Sequence, residues 1–495
     1  MNLSLAEAKI VAEIDSGREI VLGDGKVPPE DAGNDRKVRA SFIRYLALGG
    51  CDDCKTHEKG LQVCGALVVG DGTGAETKGL DLAGCKVDRD LFLANCRFPD
   101  LILMRDCAIA TVNFHGSHLL RGFSANRLEA KGDVLLRQII ADGEVQLLGA
   151  KLGGSLECTS SKFLSASRCS LSADRLTAKG NVVLERIKAK SEVRLLGIKL
   201  DGDLDCEGAE FLCQSDSAFV ADGMKVRGMF YLRLGAKVEG SISLSGAEVG
   251  VLSDELDCWP TGKNSIRISR FHYGAILGPN APVDAKSRLD WLKKIKHAHG
   301  FSPQPYEQLA KVLREMGHRS DAREVLIEKE RLQRKDRRDR EPSVVYSGIL
   351  LLRDQAMNLT VRYGHRPLLA FAWLAIFWSI GVLVFLDAAE NGAFKPSSSR
   401  VWQSEFWVKC ADVQPSQMEC YQISKRGLSY PKFSALIYSA DTLLPIVDLE
   451  LQNVWIPDEA KAPWVRRYLW FQILAGWALS LLAVAGFSGL IKKSD

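Results

Sequence analysis

The sequence predicts a mainly β N-terminal solenoid, a β-helix of either hand, followed by a helical connector and two transmembrane helices. Three observations carry this reading. VQLLGAKLGGSLECTSSKF at 145–163 returns 48 residues later as VRLLGIKLDGDLDCEGAEF at 193–211, with ten of nineteen positions identical. Apolar residues alternate within 11-residue units from about residue 61 to residue 282. Two uncharged apolar runs, 367–386 and 468–491, stand near the C-terminus.

The N-terminal segment, MNLSLAEAKIVAEIDSGREI, has early acids and no long apolar core, so it does not read as a secretory leader and the first part of the chain is expected in the cytosol. The chain is 46 % hydrophobic and 25 % charged, and a net charge of +4 does not by itself indicate nucleic acid. Of thirteen cysteines, eleven precede residue 260. In a reducing compartment these are expected as thiols or metal ligands, whereas Cys410 and Cys420 stand apart in a segment where a disulfide could form.

The repeat unit reads apolar, x, apolar, x, x, small or apolar, x, apolar. It fits Leu80, Leu82, Cys85, Val87 and again Leu91, Leu93, Cys96, Phe98, and its later starts include Val112, Phe123, Val134, Val145, Leu156, Leu171, Val182, Val193, Leu204 and Phe219. Most steps are 11 residues and two are 15, so 11, 11, 11 and 15 make the 48-residue period. Apolar residues two apart define a strand with one inward face. A short fixed period marks a solenoid, in which each unit buries its face only against its neighbours. Cys85, Cys96 and Cys107 occupy the small inner position and read as core, because a buried thiol behaves as a small hydrophobe.

The five-or-six-residue rhythm resembles the pentapeptide-repeat quadrilateral β-helices, two 11-residue units making one coil. RKVRASFIRYLALGG (36–50) with His57-Glu58-Lys59-Gly60 resembles the lead-in of a bacterial family built on such a solenoid, and QPYEQLAKVLREMGHRSDAREVL (304–326) resembles its helical segment. That family carries the label membrane-associated oxidoreductase. The resemblance implies a four-sided coil, a bacterial membrane location and redox activity.

The residues themselves offer few sites. Gly70, Gly72 and Ala75 have dinucleotide spacing, but a repeat strand follows where a helix is required, so the stretch reads as a turn. Cys51, Cys54, His57 and Cys64 could supply a tetrahedral zinc site, although the second pair lacks a standard spacing. Otherwise no cofactor is predicted. No nucleophile elbow, phosphate loop or zinc-protease motif occurs, and no catalytic residue is assigned, so an enzyme is less expected than a binding protein. His115 and His118 read as surface or turn residues.

The expected boundaries are a helical lead-in and cap at 1–60, the solenoid at 61–282, a helical hairpin at 283–341, an amphipathic juxtamembrane helix at 342–366, a first span at 367–387, an external loop at 388–467 and a second span at 468–491. Leu289, Leu292 and Ile295 mark one apolar helix face in the connector. Residues 331–340, RLQRKDRRDR, hold six basic and two acidic side chains, which near a membrane favour anionic lipid over nucleic acid. Arg353, Arg362 and Arg366 before the first span, with Lys492 and Lys493 after the second, orient both termini and the solenoid to the cytosol of an inner membrane. Arg466 and Arg467 oppose that bias.

Within the loop, 433–455 is too short and polar to span. SADTLLPIVDL resembles the pore helix and filter of two-span cation channels, with Pro445-Ile446-Val447 in place of the potassium-filter glycines. Asp441, Thr442, Asp448 and Glu450 are then the candidate pore groups. The alternative is a helix lying flat on, or packed against, the outer surface. Two spans per chain require a homo-oligomer for a pore. The expected function is a sensor or scaffold whose solenoid binds a protein partner and reports to the membrane. The alternatives are an oligomeric channel or membrane-perturbing effector, and the oxidoreductase that the family resemblance implies.

Overall fold

A computed structural model describes residues 3–51, 54–71, 79–262, 265–295, 300–411, 413 and 416–487, without the side chains of 214–216. The chain divides into two compact units, residues 1–329 and 330–495.

The first unit is a parallel β-solenoid of about eight turns. Its strands pair with their equivalents one coil away, Val112 opposite Val134, Val134 opposite Leu156 and Leu156 opposite Val182. A coil therefore takes 22 residues, or 26 where a unit is lengthened, and one of each makes the 48-residue period. Within one coil the strands Val134–Leu135, Ile140–Ala141, Val145–Gln146 and Lys151–Leu152 give four sides. The repeat positions of this coil, Val134, Leu136, Ile139, Ala141, Val145, Leu147, Ala150 and Leu152, are all 0–3 % exposed. Phe98, Phe114 and Phe123 stack edge-on along the core, with centroids 5.6 and 5.5 Å apart. Cys96 and Cys107 lie in this core, but Cys85 is only half-buried, so the expected thiol ladder is incomplete at its first rung.

A left-handed backbone residue closes each unit. It recurs at Arg127, Gln138, Gly149 and Ser160, all with φ between 55° and 65°. That conformation costs a non-glycine residue about 1–2 kcal/mol. The coil-to-coil bonds fix it: Gln138 N–H donates to Thr159 C=O at 2.9 Å and Gly149 N–H to Asp174 C=O at 2.7 Å. Between these turns some corners bring neighbouring coils so close that only glycine fits. A Cβ on Gly153 would lie 2.0 Å from the Lys131 carbonyl oxygen.

Both ends of the ladder are covered, as an open sheet edge requires. At the N-terminal end the ladder starts ahead of residue 61. Ile20–Val21 pairs with Val63–Cys64, and Lys37–Arg39 with Leu67–Val69. Helices α1 (Leu5–Glu13) and α2 (Ala40–Ala47) flank these strands. Ser4 and Glu7 form a capping box at the start of α1. The buried Glu7 carboxylate also accepts from Arg39 N–H at 3.0 Å, Nε at 2.8 Å and Nη2 at 2.8 Å. Burial alone would raise the Glu7 pKa; the Arg39 side-chain and backbone hydrogen bonds, with that from Ser4, outweigh it and hold it below its usual value. The native carboxyl thus binds protons more weakly than the unfolded one. Its contribution is complete above the unfolded pKa of about 4.3 and is lost as pH falls through the folded value. Hydrogen exchange across α1 and 37–39 should show the wild type losing protection as pH drops below about 4. Glu7→Gln should start lower and respond less to pH over that range.

At the other end, α3 (Ala285–Leu292) and α4 (Gln304–Glu315) close the last coil. Ile266 bridges to Ile295, and Gln308 Nε2 donates to Tyr273 C=O at 2.8 Å. The buried face of α3 contains Ala285, Arg288, Trp291 and Leu292. Arg288 and Asp254 form an ion pair at 0 % side-chain exposure, with Nη1 and Nη2 donating at 2.8 and 2.7 Å. Trp259 Nε1 donates to the same carboxylate at 2.7 Å, and Arg288 Nε donates to Pro282 C=O at 2.7 Å.

Helix α5 (Arg319–Asp339) leads into the second unit, followed by α6 (Val344–Val361) and α7 (Leu368–Glu390). Short helices α8 (Ser399–Trp402), α9 (Glu405–Val408) and α10 (Gln417–Ile423) come next, then α11 (Ala435–Leu443), α12 (Leu451–Val454) and α13 (Pro463–Phe487). Phe394–Pro396 pairs antiparallel with Trp455–Pro457, and Cys410 is disulfide-bonded to Cys420. Trp407, Tyr421, Tyr430 and Trp455 form an aromatic core beside that disulfide.

Helices α7 and α13 are long and apolar enough to cross a membrane, and only 22 % of the most apolar window of each is buried. Leu383 is 68 % exposed and Leu474 69 %. A core helix of a water-soluble domain would cover such side chains. The chain thus joins a β-solenoid to a helical module with an apolar exterior suited to a bilayer. Lys492, Lys493 and the end of the 468–491 run lie outside the described residues.

Candidate functional site

The second unit holds its main polar cluster between the two apolar helices. α11 is wedged against both. At its start, the Tyr438 ring meets Phe385 at 4.9 Å, and Phe385 meets Tyr468 at 5.7 Å. One residue on, the Ser439 hydroxyl donates to Trp378 C=O at 2.9 Å, and Gln472 Nε2 donates to Ser439 C=O at 3.0 Å and to its Oγ at 2.9 Å. At its end, Leu443 clusters with Leu374 and Leu479. The partners descend α7 from Phe385 to Leu374 while they ascend α13 from Tyr468 to Leu479. α11 therefore runs antiparallel to α7 and parallel to α13.

Two glycines allow this approach. A Cβ on Gly381 would lie 2.3 Å from Ser439 Oγ, and one on Gly476 only 1.9 Å from the Leu443 carbonyl oxygen. Small residues at such contacts let helix backbones pack closely in an apolar medium, and polar side chains then join them by hydrogen bonds.

The chain turns after Leu443 and comes back beside α11. The buried Asp441 carboxylate fixes the return, accepting from Leu449 N–H at 2.6 Å and Gln452 N–H at 2.7 Å. Thr442 is also buried, its hydroxyl donating to Tyr438 C=O at 2.9 Å. The turn itself is uncovered: Ile446 is 83 % exposed, and Asp448 and Glu450 are exposed. Asp448 Oδ1 accepts from Glu450 N–H at 2.8 Å. The four candidate pore residues thus separate into two roles. Asp441 and Thr442 hold the hairpin together, and Asp448 and Glu450 present free-facing carboxylates on its surface. Sequence reasoning passed over Gly381, Ser439, Gln472 and Gly476. The one signal for them was a glutamine with nearby glycine inside an otherwise apolar run.

The basic segment 331–340 is divided as well. Arg334 and Arg338 pair with Asp354 of α6, which Arg353 also contacts, and Arg334 stacks over the Tyr363 ring at 4.8 Å. Burial would raise the Asp354 pKa, but the three arginine hydrogen bonds hold it below its usual value. Lys335 and Arg337 remain exposed.

At the other end of the chain, Cys51 and Cys54 lie together, Sγ to Sγ 3.1 Å. His57 instead packs on Gly17 and accepts from Lys59 N–H through Nδ1 at 3.1 Å. Cys64 is buried, its thiol donating to Gly25 C=O at 3.2 Å. Among the described residues no three His, Cys, Asp or Glu side chains converge as metal ligands. Gly72 and Ala75 lie outside the described residues. Leu80 and Leu82, which follow them, are solenoid core at 1 % and 0 % exposure.

One solenoid side carries a groove of about 680 Å³, floored by Ile109, Ala130 and Leu152 and edged by Lys131, Lys179 and Lys199. No family model, curated protein or solved structure matches the chain, so the family resemblance rests on the repeat rhythm and the motifs at 36–50 and 304–326.

Proposed function

We propose that the chain is an integral membrane protein that assembles as a homo-oligomer around a cation path formed by the 435–450 hairpins, with the solenoid as the cytosolic, partner-binding domain that controls it. The observation that carries this is the hairpin's depth together with its charge. With α7 and α13 as spans, the end of α11 meets Gly476, eight residues beyond Tyr468, or about 12 Å into a hydrocarbon core of about 30 Å. Asp441 holds the turn near this level, so Asp448 and Glu450 cannot face lipid without a large penalty. Copies arranged about a wet axis satisfy both carboxylates.

Cysteine chemistry supports the orientation. The disulfide lies in the 388–467 loop, as expected on an oxidising side, while the solenoid cysteines are thiols, as expected in the cytosol. The groove supports partner binding by the solenoid, and Lys335 and Arg337 support anionic-lipid contact.

In liposomes holding the full chain, cation flux should be measurable, and Asp448→Asn with Glu450→Gln should lower it by roughly an order of magnitude. Detergent-extracted protein should be oligomeric by native mass spectrometry. A strict monomer, or flux unchanged by the double variant, contradicts the proposal. Release of large dyes along with ions would favour the membrane-perturbing alternative.

A further inference from the structure

Most cysteines of the first unit are packing groups. Cys96, Cys158 and Cys206 are 0 % exposed. Burial pushes the Cys96 thiol up to about 12, and those of Cys169 and Cys258 up to about 11. Such thiols are poor nucleophiles at neutral pH. Cys51 and Cys54 differ from these in exposure and in having a second thiol beside them. Cys51 is exposed and Cys54 half-buried, and their sulfurs are 3.1 Å apart.

The backbone holds them there. After α2 the chain passes through Gly49 and Gly50, with φ of 114° and 72°. Gly50 N–H donates to Tyr45 C=O at 3.1 Å, and a Cβ on Gly50 would sit 2.3 Å from the Cys54 carbonyl oxygen. Cys54 N–H closes a turn onto Cys51 C=O at 3.0 Å. Downstream, the buried Thr56 fastens the segment to α2, its hydroxyl donating to Leu46 C=O at 2.6 Å. The two thiols act on the Tyr45 hydroxyl of α2 and raise its pKa. To form a bond the two sulfurs must approach by about 1 Å.

We propose that Cys51 and Cys54 are a redox-responsive dithiol that closes to a disulfide by exchange with a small disulfide of the glutathione type. The exposed Cys51 thiolate attacks one sulfur of the external disulfide, forming a mixed disulfide and releasing one external thiolate. The Cys54 thiolate then attacks the Cys51 sulfur and displaces the second external thiolate. Two electrons pass to the external disulfide, which leaves as two thiols carrying the two protons given up by Cys51 and Cys54. The pair sits in the cap where the strand ladder begins, so closing it fixes the chain between α2 and the first full coil. This proposal is independent of the cation path.

The test uses the full chain in detergent micelles, equilibrated in glutathione buffers of increasing oxidised fraction, acid-quenched, alkylated and digested with trypsin. The tryptic peptide 45–55 contains both cysteines. It should pass from doubly alkylated to unalkylated and two hydrogens lighter, and return on reduction, while Cys410–Cys420 stays bridged throughout. In Cys54→Ser, Cys51 should instead retain a glutathione adduct. The proposal is overturned if both thiols stay fully alkylated at every ratio, if the wild type stops at the glutathione adduct, or if purified protein carries zinc that either serine variant removes.

Discussion

Asp254→Ala should destabilise the C-terminal end of the solenoid by about 3–5 kcal/mol, because it leaves the Arg288 guanidinium charged and unpaired inside protein. Both side chains are 0 % exposed, so water cannot replace the lost carboxylate. The carboxylate also serves Trp259 Nε1, and its removal strands a second buried donor. Arg288 retains one hydrogen bond, from Nε to Pro282, which does not compensate a charge. The pair joins the last coils to α3, so the damage should be local first. Hydrogen exchange should rise in 248–292 before the rest of the solenoid, and the urea midpoint of the full chain should fall. Asp254→Leu combined with Arg288→Met removes both charges and should cost less than Asp254→Ala alone. A double variant as unstable as the single one would mean that shape, not charge, governs this cap.

Gly476→Leu should displace α11 and abolish both oligomer formation and ion flux. The new Cβ would stand 1.9 Å from the Leu443 carbonyl oxygen, a backbone atom that cannot swing aside as a side chain can. Overpacking of this kind costs about 1–3 kcal/mol where the surroundings can shift. Here relief requires α11 to withdraw, and with it Ser439 would lose the hydrogen bonds from Gln472. Gly476→Ala makes the same clash with a smaller side chain and should keep part of the flux. Gly348→Leu is the control, since nothing lies within 4 Å of that glycine. Flux retained in Gly476→Leu would show that α11 does not hold the conducting arrangement.

The solenoid was readable because its chemistry is periodic. Val112, Val134, Leu156, Val182 and Leu204 each had to be apolar, and each is 0–1 % exposed. The left-handed corners were not readable where they fall on Arg127, Gln138 or Arg175, since long-range bonds between coils impose that conformation. Nor was the start of the ladder at Ile20–Val21, a strand too short to show alternation. In the connector the expected apolar residues Leu292 and Ile295 are buried and Leu289 is half-buried, but Arg288 and Trp291 are buried beside them, which the apolar pattern did not show. A charged residue enters the core only with its partner, and Asp254 is distant in sequence. In the second unit, the polar motif marked the segment that forms α11 and its returning chain. It could not divide Asp441 from Asp448, because that distinction depends on which carboxylate meets the amides of the returning chain.

The alternation of shorter and longer coils has a consequence for how such a protein grows. A stretch of 48 residues is two whole coils, so duplicating it inserts two complete layers whose strands rejoin the ladder in phase. The two related phrases at 145–163 and 193–211 stand in that phase, 48 residues apart. Each further copy would lengthen the rod by about 10 Å, with every side chain still on its proper face. Reach can therefore be adjusted by gene duplication alone, without redesign of the core.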